Sequence, residues 1–288
     1  MKTDSTTLYI STSSIQTTDS IEAIQQLSSI TKNIELSGGC FHTDNLLERL
    51  IKIKQQEGIN FLIHSYFPPP REHFILNFAN TGEKTRLFIK EAMKFADSLG
   101  IDYYSVHAGF KRKFNFRNEL LFESSDGRTF TLEDIGDNLE WFRREFAYKK
   151  IALENLYPNN HNKECCFMIH IDEITAIMER FTDMYLLLDL GHLKISSRLL
   201  GFNYLDAVRL LFEKYGGRIL EIHLSENDAS YDDHLIIHSN SVQYMIVREY
   251  ARLIDRNGIN ITIESRNLTI QEISECYVMI KSVMLSAG

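Results

Sequence analysis

Little in this chain interrupts it or cross-links it. Proline occurs four times in 288 residues and glycine fourteen times, and no stretch rich in either marks a linker or a second domain. The four cysteines, Cys40, Cys165, Cys166 and Cys276, have no CxxC spacing, so neither a zinc ribbon nor a thioredoxin-type site is indicated. The adjacent Cys165 and Cys166 read as ordinary side chains rather than a redox pair. No apolar run is long enough to span a bilayer, and the segment from Met1 to Ser20 lacks a basic stretch followed by an apolar core. Neither a membrane span nor a signal peptide is expected, and the cytoplasm is the expected location. Basic residues are outnumbered 31 to 39, for a formal net charge of −8. That balance disfavours a broad electrostatic grip on nucleic acid or an anionic membrane, and leaves only a local basic patch open.

What the chain does have is a repeated grammar. Short apolar runs end in a residue able to hold a metal: Phe61-Leu62-Ile63 at His64, Tyr103 to Val106 at His107, Ile151-Ala152-Leu153 at Glu154, Leu186-Leu187-Leu188 at Asp189, Ile219 to Ile222 at His223, and Ile261-Thr262-Ile263 at Glu264. A continuous apolar run is how a buried parallel strand reads, because both of its faces are covered. The predicted strands are Leu8–Ser13, Asn33–Ser37, Asn60–Tyr66, Asp102–His107, Ile151–Asn155, Tyr185–Leu190, Ile219–Leu224 and Asn260–Ser265. Between them, apolar residues recur at helical spacing, for example Leu46, Leu47 and Leu50, or Ile89, Ala92, Met93 and Ala96. Eight βα units in a chain of this length close most simply into a (β/α)8 barrel, a single domain over residues 1–288. An open doubly wound sheet is the alternative, but no GxGxxG or P-loop segment supports it.

In a barrel the strands' C-terminal ends share one face with the βα loops. Glu154, Asp189 and Glu264 therefore meet there, with His64, His107 and His223 beside them. Carboxylates crowded and desolvated in this way cost several kcal/mol each if unpaired, so they are either partly protonated or offset by bound cations. The mixture with histidine points to cations, zinc or manganese. Two short motifs add ligands: His192 in Asp189-Leu190-Gly191-His192, and Asp232 and His234 in Asp232-Asp233-His234. Taken singly, a strand-end histidine is more often a hydrogen-bonded structural residue, and an acidic residue there a helix cap. Nine in barrel order outweigh that. His42, His73, His161, His170 and His238 fall outside the pattern and read as surface or loop residues. Pro68-Pro69-Pro70 stiffens a loop at the mouth, and Tyr66, Phe67, Phe110 and Tyr157 are positioned to shape a pocket. The longest insertion, Lys111 to about Arg128, opens with four cations around two aromatics, Lys111 to Arg117. It reads either as an anion clamp using Lys111 and Arg112 or as a solvated loop. Arg266 and, more weakly, Lys194 lie near enough the mouth to meet a substrate anion.

These residues resemble the xylose isomerase-like barrels, which include sugar and sugar-phosphate isomerases and epimerases and the endonuclease IV family. The resemblance covers nearly the whole chain, most clearly from the third strand onward, and takes in His223-Leu224-Ser225-Glu226-Asn227-Asp228 and Asp232-Asp233-His234-Leu235. It implies a four-ligand metal centre of Glu154, Asp189, His223 and Glu264, with the two glutamates as acid and base and His192 touching substrate. The endonuclease IV side implies up to three zinc ions. One would take His64, His107 and Glu154; a second Glu154, Asp189, His223 and Glu264; a third His192, Asp232 and His234. The sequence departs from the nuclease pattern at Asn155-Leu156-Tyr157-Pro158, at Leu190-Gly191 (Thr-Cys in the nuclease), and at Ser265-Arg266, where the Thr-Pro ending is missing. The expectation is a metal-dependent isomerase or epimerase of a sugar or sugar phosphate. A multi-zinc phosphodiesterase is the alternative, and a non-catalytic metal- and ligand-binding barrel a third. Barrels of this type commonly pair, so a homodimer stands among the expectations.

Overall fold

A computed structural model describes residues 6–72, 74–117, 120–123, 127, 129–158 and 163–287. His73 and His161 lie outside the described residues. The strands are β1 (Leu8–Ser11), β2 (Asn33–Leu36), β3 (Asn60–Ile63), β4 (Tyr103–His107), β5 (Phe114–Arg117), β6 (Leu120–Glu123), β7 (Lys150–Glu154), β8 (Tyr185–Asp189), β9 (Ile219–Leu224) and β10 (Asn260–Ile263). Eight of them form one parallel sheet in the order β3-β2-β1-β10-β9-β8-β7-β4. The seam between β3 and β4 is bridged at His64 and Ser105, where Ser65 N donates to Ser105 O at 2.8 Å. The sheet is thus a nearly closed (β/α)8 barrel. The helices around it are α1 (Ser20–Leu27), α2 (Leu46–Glu57), α3 (Glu83–Leu99), α4 (Leu132–Glu145), α5 (Ile171–Arg180), α6 (Leu190–Leu200), α7 (Tyr204–Tyr215), α8 (Val242–Asn257) and α9 (Ile270–Ala287). Among the described residues, no helix is long and apolar enough to cross a membrane.

Most strands stop earlier than the apolar runs predict, and the reason lies at the mouth. β1 ends at Ser11 because Thr12–Ser14 wind into a 3-10 turn with Ser11 as its N-cap. Asp189 closes β8 and also caps α6, its Oδ1 accepting from His192 N at 2.7 Å. The insertion after β4, read above as a loop, carries the β5–β6 antiparallel hairpin, with Phe114 opposite Glu123 and Arg117 opposite Leu120.

Alternate residues of each barrel strand point to opposite faces. The outward set, such as Tyr104 and Val106 of β4 or Ile261 and Ile263 of β10, is buried under the helices. The inward set is unusually polar: Glu35, Ser105, Glu154, Asp189, Glu221, His223 and Thr262 are all fully buried. Backbone register then does the positioning. His107 lies beside Glu154 across β4 and β7, and Asp189 beside His223 across β8 and β9.

One glycine is required by this arrangement. Gly109 has φ +102°, and a Cβ there would stand 2.1 Å from Asn77 Oδ1 and 3.0 Å from Phe78 N. Asn77 cannot retreat easily, since its side chain holds both Phe110 N at 2.9 Å and Phe110 O at 3.0 Å. Gly109→Ala is therefore expected to lose at least about 1–3 kcal/mol of stability from backbone strain alone. Urea denaturation reads that loss, and an unchanged midpoint would contradict it.

Candidate metal centre

The nine residues named from sequence come together at the C-terminal end of the barrel. His64 Nε2 and His107 Nε2 each lie 3.2 Å from Glu154 Oε2. His192 Nδ1 lies 3.2 Å from Glu154 Oε1, and ligand atoms of Glu154, Asp189 and His223 fall within 4.8 Å of one another. Glu264 Oε2 is 3.3 Å from His223 Nδ1. Asp232 Oδ2 sits between His234 Nε2 at 2.8 Å and His192 Nε2 at 3.4 Å. Glu154 is thus the hub, and Glu264 leads from His223 toward His234, 3.8 Å away.

Several of these side chains are aimed from behind. His64 Nδ1 lies 3.1 Å from Ser105 Oγ, whose own hydroxyl donates to Ile63 O. That leaves His64 Nδ1–H as donor and turns Nε2 toward Glu154, where it donates when protonated and would be the ligating nitrogen when a cation is bound. His192 Nδ1 donates to Asn155 O at 3.0 Å, and its Nε2 is hydrogen-bonded to Asp232 Oδ2 at 3.4 Å. Asn155 also clamps the Asp189 backbone, accepting from its N at 2.9 Å and donating to its O at 3.0 Å.

The charge balance is severe. Six buried or nearly buried carboxylates (Glu35, Glu154, Asp189, Glu221, Asp232 and Glu264) occupy one barrel interior. Among the described residues the only Lys or Arg within 4.0 Å of any of them is Arg266, 3.2 Å from Glu264 Oε1. Burial pushes the Glu154 carboxyl up, but His107 and His64 outweigh it and hold it well below the usual range. Glu264 is likewise held low against burial by His223, then His234 and Arg266. Burial dominates at Asp189, pushed up to about 6, and at His107, pushed down to about 4. His192 and His223 are raised well above their ordinary value, because Asp189 and Asp232 at one, and Glu35 at the other, overcome burial. In the metal-free chain, protons on histidine supply the positive charge that the carboxylates demand.

A divalent cation fits this donor set. Seven buried polar atoms here have no hydrogen-bond partner: Glu35 Oε1, both Glu154 oxygens, Asp189 Oδ2, Asp232 Oδ1, and Nδ1 of His223 and His234. Buried carboxylate and imidazole atoms are rarely left so, and Glu, Asp and His are the donors zinc and manganese accept. Asp189 shows the division within one side chain, with Oδ1 spent on the helix cap and Oδ2 left open.

The sequence matches the profile of the family described as xylose isomerase-like TIM barrel over residues 34–275. The chain belongs to the xylose isomerase-like TIM barrel family. No curated protein matches the chain at the level of sequence. Among solved structures, a D-tagatose 3-epimerase-like protein superposes with a TM-score of 0.67 at 19% identity, covering 98% of both chains. AP endonuclease, family 2, from Brucella melitensis gives 0.65 at 14% identity, covering 94% of this chain and 96% of the other. The 3-keto-D-glucoside 4-epimerase from E. coli gives 0.65 at 12%, covering 96% and 99%. At these identities the likeness establishes the fold.

Beside the cluster, this xylose isomerase-like barrel opens a cavity of about 460 Å³. His64, His107 and Glu264 of the cluster line it, together with Tyr66 and Arg266 and with Thr12, Ser13, Thr17, Thr18 and Ser37. Of the aromatics predicted to shape a pocket, Tyr66 does line it. Phe67 is fully buried and packs on Phe95, Phe110 packs on a small cluster that includes Cys165 and Cys166, and Tyr157 lies against the His192 ring at 4.8 Å. Of the cations, Arg266 reaches the cavity. Lys111 is ion-paired with Glu173 at 2.8 Å, Arg112 joins Thr129 by a backbone bridge, and neither lines the cavity. Lys194 is tied to the Glu226 carboxylate and to Asn227 O. Sequence reasoning missed Glu35, Glu221 and the serine and threonine lining of the cavity.

Proposed function

We propose that this barrel is a metal-dependent isomerase or epimerase acting on a sugar or sugar phosphate. The observation carrying that reading is one buried cluster in which Glu154 groups with Asp189 and His223, His223 meets Glu264 at 3.3 Å, and Glu264, His64 and His107 line a small cavity that also carries serine and threonine side chains. Zinc or manganese, when bound by Glu154, Asp189, His223 and Glu264, supplies the Lewis acidity that lowers the cost of enediolate formation next to a carbonyl. Glu154 and Glu264 then move the proton. In epimerisation one, ionised, takes the proton from carbon; the other, also held ionised in the metal-free chain, must first take up a proton from solvent before it returns one to the opposite face, and the two states exchange with each turnover. His192, buried against Tyr157, meets a substrate hydroxyl. The Thr12–Thr18 and Ser37 hydroxyls hold the sugar's own, and Arg266 pairs with a terminal phosphate or carboxylate. Lys111 and Arg112 take no part in that grip, because the Lys111 charge is already paired with Glu173.

A second reading is a multi-zinc phosphodiesterase of the endonuclease IV kind, favoured by the convergence of His64, His107, His192, Asp232 and His234 on the same centre. Metal content per chain, measured on protein purified without chelator, separates the two. One equivalent, with turnover of an open-chain ketose or aldose in a sugar panel, is the expected result. Two or three zinc ions, with cleavage of abasic-site DNA or a small phosphodiester, would replace the first reading with the second.

A further inference from the structure

Glu35 lies one strand position before the end of β2, fully buried, inside the short run Asn33-Ile34-Glu35-Leu36. A carboxylate taken out of water costs several kcal/mol unless something pairs with it, and among the described residues no Lys or Arg does. Its partner is His223: Glu35 Oε2 stands 2.9 Å from Nε2 of that ring, across the barrel from β2 to β9. The opposite nitrogen, Nδ1, faces Glu264 Oε2 at 3.3 Å and has no hydrogen-bond partner.

We infer that Glu35 is a positioning residue for the metal centre: it accepts the Nε2–H of His223 and thereby leaves Nδ1, on the Glu264 side, as the nitrogen that ligates once a cation displaces its proton. The inference rests on the metal-centre reading above. An ionised carboxylate is acceptor only, and a neutral imidazole carries one N–H, so a hydrogen bond at Nε2 fixes which nitrogen is left to ligate. Outer carboxylates commonly orient and strengthen metal-binding histidines in this way. The other nearby carboxylate, Glu221, stands 3.6 Å from the same Nε2, but its oxygens are occupied by the hydroxyls of Thr262 and Tyr103. Glu35 keeps one oxygen unpartnered and aims the other at the ring. The His64 ring meets the His223 ring edge-on at 4.8 Å, so the imidazole cannot swing away from Glu35 without displacing a second member of the centre.

The test is the zinc-loaded full chain, read by long-range proton–nitrogen NMR and by competition with a chelator of known zinc affinity. Wild type is expected to show His223 bound through Nδ1 with a protonated Nε2. Glu35→Met, apolar and similar in length, is expected to weaken zinc binding about 10–100-fold, while Glu35→Gln stays within about threefold because its carbonyl accepts the same N–H. Zinc ligation through Nε2 in wild type overturns the inference without recourse to any variant. So does a folded Glu35→Met chain that holds zinc as tightly as wild type. A wild-type chain that binds no zinc overturns the metal-centre reading itself, and the inference with it.

Discussion

Replacing Glu264 by glutamine is expected to abolish turnover and leave the barrel folded. The carboxylate stands at the end of β10, with its backbone N bonded to Leu224 O at 2.9 Å, a contact the substitution does not touch. The amide has the same shape, and its carbonyl can still accept from Arg266, now 3.2 Å from Oε1. The amide gives up the attraction of His223, His234 and Arg266 that holds the carboxylate ionised, a loss of stability that the unchanged backbone contact and side-chain shape keep short of unfolding. What disappears is the charge that receives or returns a proton. Glu264 is held ionised against burial by His223, His234 and Arg266, whereas an amide neither ligates a cation strongly nor acts as a base. General acid–base catalysis contributes about 10²–10⁴ in rate, and the loss of kcat should reach that range, with the circular dichroism of a folded barrel retained. Glu154→Gln should match it. Metal content divides the cause: a variant that keeps its metal and loses kcat has lost proton transfer, and one that loses both has lost a ligand. Wild-type turnover by either variant would remove that glutamate from the chemistry and favour a non-catalytic, ligand-binding barrel.

The clustering behind that prediction was legible in the chain because parallel strands buried on both faces leave a continuous apolar signature. His107, Glu154, Asp189 and His223 each end such a run, and parallel register sets His107 beside Glu154 and Asp189 beside His223. Glu35 escaped for the complementary reason. It sits inside a four-residue strand rather than at its end, where an acidic residue interrupts the apolar run and carries none of the strand-end signal. Its partner is 188 residues away. Glu221 is hidden in the same fashion within Ile219–Leu224, and only barrel closure brings Tyr103 and Thr262 to its two oxygens.

The opposite error has an equally physical cause. Lys111 and Lys194 read as free cations near the mouth, yet Glu173 and Glu226 neutralise them through contacts that no local spacing encodes. The β5–β6 hairpin did leave a trace, the period-two alternation Phe114-Asn115-Phe116-Arg117, which the cluster of positive charges overshadowed. The serine and threonine lining of the cavity was illegible for a different reason. Thr12, Thr17, Thr18 and Ser37 are common loop residues, and only the fold brings the segment that follows β1 and the residue that follows β2 to one cavity.

Stripping the metal is expected to lower Tm by about ten degrees, and the gap should widen as pH rises. A ligand at about a thousand times its Kd stabilises the native state by about 4 kcal/mol, and in a chain of this size each kcal/mol moves Tm by about 2–4 °C. The pH dependence follows from which protons the empty cluster carries. His64, His192 and His223 are raised above their ordinary value in the metal-free fold, burial opposing the shift and nearby carboxylates overcoming it. Their contribution to stability is fully present below the unfolded histidine pKa of about 6.5 and is lost as pH climbs through the raised folded values. The metal-free chain therefore weakens from neutral toward alkaline pH, as the protons that balanced the carboxylates depart. The depressed carboxyls of Glu154, Glu264 and Asp232 act in the other direction: their contribution is present above the unfolded carboxyl pKa and is lost only in acid. A bound cation must displace the histidine protons to take its ligands, so its stabilising increment is small near pH 5.5 and large near pH 8.5. Scanning calorimetry at those two pH values, with and without chelator, reads both effects. Equal Tm values with and without chelator at pH 8.5 would mean that no cation occupies this cluster. The carboxylates would then have to be balanced by protons alone, at a pH where the histidines are losing them.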